Sequence, residues 1–331
     1  EEQRLKQSGV DLINLNFKYF KYLPKNGFIK SRFSYFIIFI FSILPLIFCL
    51  NKHRPNIVII HLLTSLPLSL KYFFRLNTEI ILRVSGFPKL NFLRKNFWKL
   101  VSKKINYILC PTLELRNQLE SFKEFKEVKI RHLCDPVLTA NELLIKRKPD
   151  LNKLYLEKIN FLTAGRFTRQ KNYLYLISEF NEYLKTSPNA TLTIFGDGED
   201  KKKIISKINK LNLNKNVFIK DYVNNLYYYM RKADAYILSS LWEDPGHVLI
   251  EAAANNLFII SSNCYNGPKE FLDNGNGGIL FSSNKKNAIK DSLIYFDNLK
   301  GYEKRQKKLL AKKKSLNYTL LRHYNKLINF L

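Results

Sequence analysis

Two carboxylates eight positions apart, Glu243 and Glu251, bracket the segment Asp244-Pro245-Gly246-His247-Val248. The apolar run at 235–238 reads as a strand, Pro245-Gly246 opens a helix, and Glu251 falls about one turn inside it. Amides around Gly246, His247 and Val248 at such a helix start lack intrahelical acceptors and form an anion site suited to phosphate. A carboxylate further in repels that phosphate, so Glu251 is better explained as an acceptor for neutral hydroxyls such as those of a ribose. Glu243, in the loop, would serve the hydroxyls of a second sugar. A basic constellation, Gly165-Arg166-Phe167-Thr168-Arg169-Gln170-Lys171-Asn172, follows an apolar run at 160–164. There a fixed Arg and a mobile Lys make a candidate pyrophosphate clamp, neutralising charge that builds on a departing diphosphate. In Phe195-Gly196-Asp197-Gly198-Glu199 the glycines either let backbone approach a ligand or make a tight turn. One diphosphate with a sugar on each side is a nucleotide sugar.

These residues need a scaffold of strand ends. Strand-like runs at 10–15, 57–60, 80–84 and 107–110, then at 160–164, 191–195, 217–219, 235–238 and 258–261, alternate with helical patterns. Short apolar strands followed by helices predict an α/β fold with parallel sheets covered on both faces. Two such series predict two Rossmann-like doubly wound domains facing each other across a cleft, with ligands at the carboxyl ends of the strands. The expected division is an N-terminal, acceptor-side domain over 1–140 and a polar, irregular linker over 141–158. A nucleotide-binding domain over 159–310 follows, then a C-terminal helix over 311–331 that can pack back on the first domain. The chain opens on Glu1, and its first residues read as a mid-fold beginning, so the first domain is expected to lack its start.

Of the 331 residues, 46% are hydrophobic and 14% aromatic, which supplies packed cores and excludes disordered, collagenous and low-complexity classes. Lys and Arg number 55 against 27 Asp and Glu, a formal charge of +28, so the expected partners are negative: phosphorylated substrates or an anionic membrane surface. No Walker, RNP or helix-turn-helix signature supports nucleic acid as a partner. Cys49, Cys110, Cys134 and Cys264 stand far apart with no C-x-x-C, which argues against zinc ribbons and disulfide scaffolds and fits a reducing cytosol. Residues 33–50 carry no charge, near the lower limit for a membrane-spanning helix. Pro45, Ser34 and Ser42 weaken that reading, and the strand expected at 57–60 ties the run to a sheet. A domain helix whose outer side sits in a bilayer surface, beside Lys30, Arg32, Lys52 and Arg54, is expected, with a crossing as the alternative.

Taken together, the E-x7-E spacing, GRFTRQKN, FGDGE and Cys264-Tyr265-Asn266-Gly267-Pro268-Lys269-Glu270 resemble the retaining GT-B glycosyltransferases of group 1, or family four, over about residues 160–281. The resemblance implies that Arg166 and Lys171, after Gly165, hold the donor diphosphate and that Glu251 holds the ribose. It further implies that Glu243 with the Gly246, His247 and Val248 amides meets the transferred sugar, and that Gly196 and the segment Asn266–Glu270 shape the donor pocket. Glu243, Arg166 and Lys171 are thus the catalytic candidates. No metal and no cofactor is implied, the nucleotide-diphosphate sugar being a substrate. Two departures stand out: the sequence starts after the point where members carry a Gly-rich loop following a first strand, and Ser85 stands where members often carry a His. The implied function is a hexosyl transfer to a lipid-linked or saccharide acceptor in surface polysaccharide or lipopolysaccharide synthesis, in the cytoplasm at the inner face of the cell membrane. The rivals are a nucleotide-sugar epimerase of the same fold and a non-catalytic basic protein that binds membrane or nucleic acid.

Overall fold

The computed structural model describes residues 9–13, 22–23, 28–61, 65–74, 76–86, 91–139 and 159–331. Its contacts divide the chain into two compact units. The first comprises Glu1–Val84, Lys89–Leu109 and Ser121–Ile130, the second Ser85–Pro88, Cys110–Glu120 and Arg131–Leu331. The linker expected over 141–158 lies outside the described residues.

The first sheet contains β1 (Ile57–Ile60), β2 (Glu79–Arg83), β3 (Tyr107–Cys110) and β4 (Lys129–His132), hydrogen-bonded in chain order. The β1–β2 and β2–β3 pairs are parallel, with Ile57 opposite Glu79 and Ile81 opposite Tyr107. The runs Ile80-Ile81-Leu82 and Ile108-Leu109 are fully buried, as expected of parallel strands covered on both faces. Helices α1 (Phe28–His53), α2 (Ser65–Phe74) and α3 (Phe92–Val101) belong to this unit. Asn91 caps α3 by accepting from the Arg94 amide, and Trp98 of α3 packs edge-on against Phe125. Of the strand expected at 10–15, residues 10–13 form none, and 14–15 lie outside the described residues. A strand needs a neighbour to complete its ladder, and among the described residues β1, at the sheet edge, pairs with β2 alone.

The second unit holds a six-stranded parallel sheet of β5 (Asn160–Ala164), β6 (Thr191–Phe195), β7 (Val217–Lys220), β8 (Ala235–Leu238), β9 (Phe258–Ser262) and β10 (Ile279–Phe281). Its order is β10-β9-β8-β5-β6-β7. Numbered from the first strand of the sheet this is the doubly wound order 3-2-1-4-5-6, with its reversal between β5 and β8. Alternate residues feed two cores: Phe161, Ile194 and Ile237 one, Leu162, Phe195, Tyr236 and Leu238 the other. Helix α4 (Leu113–Glu120) belongs to this unit, as do α5 (Tyr173–Leu184), α6 (Lys201–Lys210), α7 (Leu226–Lys232), α8 (His247–Ala254) and α9 (Pro268–Phe271). Helices α10 (Ala288–Asn298), α11 (Gly301–Ser315) and α12 (Leu320–Ile328) complete it. Helix α5 buries Leu176, Ile177, Phe180 and Tyr183, the stripe of an amphipathic helix on a sheet. At the chain end α11 runs unbroken through residue 311, and the Val137 and Leu138 amides donate to the Tyr318 carbonyl.

Candidate functional site

Three strand-end loops are stitched into one rim. The Gly165 amide donates to the Phe195 carbonyl (3.0 Å), the Phe167 amide to Asp197 (2.8 Å), and the Gly196 amide to Lys220 (2.9 Å). A Cβ at Gly196 would stand 2.0 Å from the Gly165 carbonyl oxygen, so only glycine lets the loops after β5 and β6 close on each other. The loop after β8 is tied in on the other side. The Leu241 amide donates to the Gln170 carbonyl (2.8 Å), and the Gln170 side-chain amide donates to the Trp242 carbonyl (2.8 Å).

A cavity of about 600 Å³ opens on this rim, within the size range of small-ligand sites. Ala164, Gly165 and Arg166 line it from β5, and Phe195, Gly196 and Asp197 from β6. Val223, Leu226 and Tyr227 supply an apolar wall after β7, with Tyr222 and Asn224 beside it, and Val248 and Glu251 face it from α8. Of the nine residues picked from sequence, it therefore collects five: Gly165, Arg166, Gly196, Val248 and Glu251. One exposed guanidinium, the carboxylates of Asp197 and Glu251 and an apolar wall suit a ligand carrying an anion, hydroxyls and a ring.

The other four do not line the cavity. Lys171 closes the turn before α5, and its ammonium donates to Glu243 Oε1 at 2.6 Å, with the two side chains 13% and 6% exposed. Ser240 Oγ donates to the same carboxylate oxygen. Lys171 and Glu243, expected on separate parts of one ligand, are thus partners in a buried ion pair. Gly246, in the left-handed region at φ 93°, caps α8, and its neighbour His247 lies with Nε2 3.1 Å from Asp135 Oδ2. Burial pushes the Cys264 thiol up to about 12 and the Tyr173 phenol above its ordinary range, so neither adds a charge beside the pair at neutral pH.

The segment Asn266–Glu270 lies off the cavity lining. Glu270 accepts from the Leu113 and Glu114 amides at 3.1 Å each, while Glu114 accepts from the Asn266 amide at 2.8 Å. Each carboxylate satisfies backbone donors on the other's segment, fixing α4 against α9. Sequence reasoning missed Tyr222, Val223, Asn224, Leu226 and Tyr227. A usable signal was available: the run after β7 leaves the same sheet edge as the Gly165 and Gly196 loops, so its residues reach the same space.

The family described as "Glycosyl transferases group 1" matches residues 145–314, just over half of the chain. A glycosyltransferase of Methanocaldococcus jannaschii is 31% identical over 67% of this chain and 59% of its own length, so the chain spans well under two thirds of that relative. The N-acetylgalactosamine-N,N'-diacetylbacillosaminyl-diphospho-undecaprenol 4-alpha-N-acetylgalactosaminyltransferase of Campylobacter jejuni is 25% identical over 71% of this chain and 66% of its own. Among solved structures, a glycosyltransferase from Rickettsia africae superposes with a TM-score of 0.77 at 15% identity, over 99% of this chain and 86% of that one. This likeness shows the fold, α/β with parallel sheets of the GT-B type.

Proposed function

We propose, proceeding from the fact that the chain belongs to the group 1 glycosyl transferases, that it is a retaining transferase moving a hexose from a nucleotide-diphosphate sugar to a lipid-linked or saccharide acceptor. The observation that carries this reading is the convergence of Arg166, from the loop after β5, and Glu251, from helix α8, on a single cavity with an apolar wall. Glu251 would accept the ribose hydroxyls, the wall of Val223, Leu226 and Tyr227 would take the base, and Arg166 would meet the diphosphate. Lys171 gives one N–H to Glu243 and has two more for the phosphate, so Glu243 acts by fixing that ammonium, beside the α8 amides where the sugar is placed.

In the reaction as proposed, the bond from the anomeric carbon to the β-phosphate oxygen breaks and a bond to the acceptor oxygen forms on the same face. The acceptor proton passes to the departing phosphate oxygen, and the two cations take up its charge. No metal and no cofactor enters this scheme, so chelation by EDTA should leave transfer unchanged. The acceptor class draws support from the name of the Campylobacter relative, which specifies a diphospho-undecaprenol substrate. The setting would be surface polysaccharide or lipopolysaccharide synthesis in the cytoplasm, at the anionic inner face of the membrane, in line with the charge of +28 and with no role for nucleic acid.

The test is a thermal-shift panel of nucleoside diphosphates and their sugars. One nucleotide at a hundred times its Kd should stabilise the protein by about 2.7 kcal/mol. Arg166→Ala and Glu251→Ala should each cut the shift to less than half. A panel with no responder, or release of free epimer without acceptor, would overturn the proposal.

A further inference from the structure

Helix α1 is built inside out. In its described part, the two fully buried residues are Ser34 and Ser42, 6% and 7% exposed. Phe33, Phe36, Ile40, Leu44 and Phe48, spaced by three and four, are 62%, 61%, 45%, 76% and 70% exposed. A surface helix of a globular unit turns its apolar stripe inward and its polar face to water. Here the stripe that faces outward is aromatic and aliphatic, over a helix of 26 residues. Helix α2, which packs on α1, ends in Phe73 and Phe74, also exposed at 74% and 56%. The far end of α1 is basic, with Lys52, His53 and the following Arg54 all exposed.

From sequence the run allows two membrane arrangements, crossing and lying flat, and by length and composition the helix is able to cross. Its packing favours the second. One side of α1 is committed to its own unit through the buried serines and α2, and only three residues separate it from β1 in the first sheet. A crossing would strip that side from the unit and place it among lipid chains. Lying in the plane leaves the packed side where it is and immerses only the opposite stripe. The basic end selects the surface: a protein partner of no particular charge would not call for Lys52, His53 and Arg54 beside the stripe, whereas anionic headgroups do.

We infer that α1 lies in the plane of an anionic bilayer with Phe33, Phe36, Ile40, Leu44 and Phe48 among the acyl chains, docking the protein without spanning the membrane. This rests on the membrane-surface part of the proposed function and is independent of the donor site. The purified chain is sedimented with vesicles of zwitterionic phospholipid alone and of zwitterionic mixed with anionic phospholipid, then washed with alkaline carbonate. Sedimentation with the anionic vesicles and release by carbonate are expected. The double variant F36S/L44S, with an unchanged unfolding midpoint as proof of folding, should bind these vesicles at least about tenfold more weakly. Failure to sediment, equal binding by the variant, or retention after carbonate would each overturn the inference. Loss of nucleotide shifts with vesicle binding intact would sink the donor reading and leave this one standing.

Discussion

Helices α5 and α1 solve opposite problems with the same geometry. Helix α5 hides Leu176, Ile177, Phe180 and Tyr183 against the second sheet, whereas α1 hides two serines and displays Phe36, Leu44 and Phe48. In the second unit apolar side chains are used for packing, and the loops they hold steady carry Arg166, Lys171 and Glu243. In the first unit apolar side chains are left over, and these point to a partner that is itself apolar. The difference teaches that burial, more than hydrophobicity, tells a core helix from a docking helix.

The sharpest way to break this contrast is to remove a support of the second unit. Lys171→Ala strands a carboxylate that is 6% exposed, and Glu243→Ala strands its ammonium. Breaking such a pair costs roughly 3–5 kcal/mol. Urea unfolding should show that loss in both single variants, with a smaller loss in the double variant K171A/E243A, because neither charge is then left unpaired.

Next in size is a change at the site that leaves the scaffold alone. Arg166 is exposed and lines the cavity, so Arg166→Ala should shift stability by about 0.5 kcal/mol or less while costing roughly 2 kcal/mol of nucleotide-diphosphate affinity. Urea unfolding checks the first half and calorimetric titration against the responding nucleotide the second, since a variant that merely unfolds would lose binding sites and not affinity. Smaller again is Glu270→Ala, which removes the acceptor of the Leu113 and Glu114 amides and should cost about 1–2 kcal/mol in urea unfolding.

Legibility in the sequence followed the range of the interactions. Strands β1, β3, β5, β6 and β8 were read at their observed bounds because their apolar runs are set by local burial. Strand β4, with Lys129, Arg131 and His132 in its four residues, and β10, with three residues after a glycine turn, have no such run and exist through their neighbours. The cavity residues next to glycines were legible, since Gly165 and Gly196 mark a close approach of backbone. The Lys171–Glu243 pair was not, because partners 72 positions apart are joined only when β5 and β8 lie side by side. The same holds for Glu270 and Leu113, 157 positions apart.

The smallest effect expected is a pH dependence confined to the second unit. His132 Nε2 stands 3.3 Å from the Pro111 carbonyl oxygen and 4.0 Å from Glu270 Oε1. Burial lowers its pKa below the usual histidine value, and Lys326 and Arg116 lower it further, while Glu270 and the Pro111 carbonyl oppose them. With the folded value below the unfolded one, the unfolded chain binds the extra proton first. The contribution of a neutral His132 is therefore complete above about pH 6.5 and fades as pH falls through the unfolded pKa toward the folded one. Urea unfolding from about pH 7.5 down to about pH 5 should show stability declining on the acid side. His132→Gln, which carries no titrating proton, should flatten that limb while leaving the vesicle binding of α1 unchanged. An identical acid limb in the variant would place the protonation elsewhere and remove His132 from the comparison between the two units.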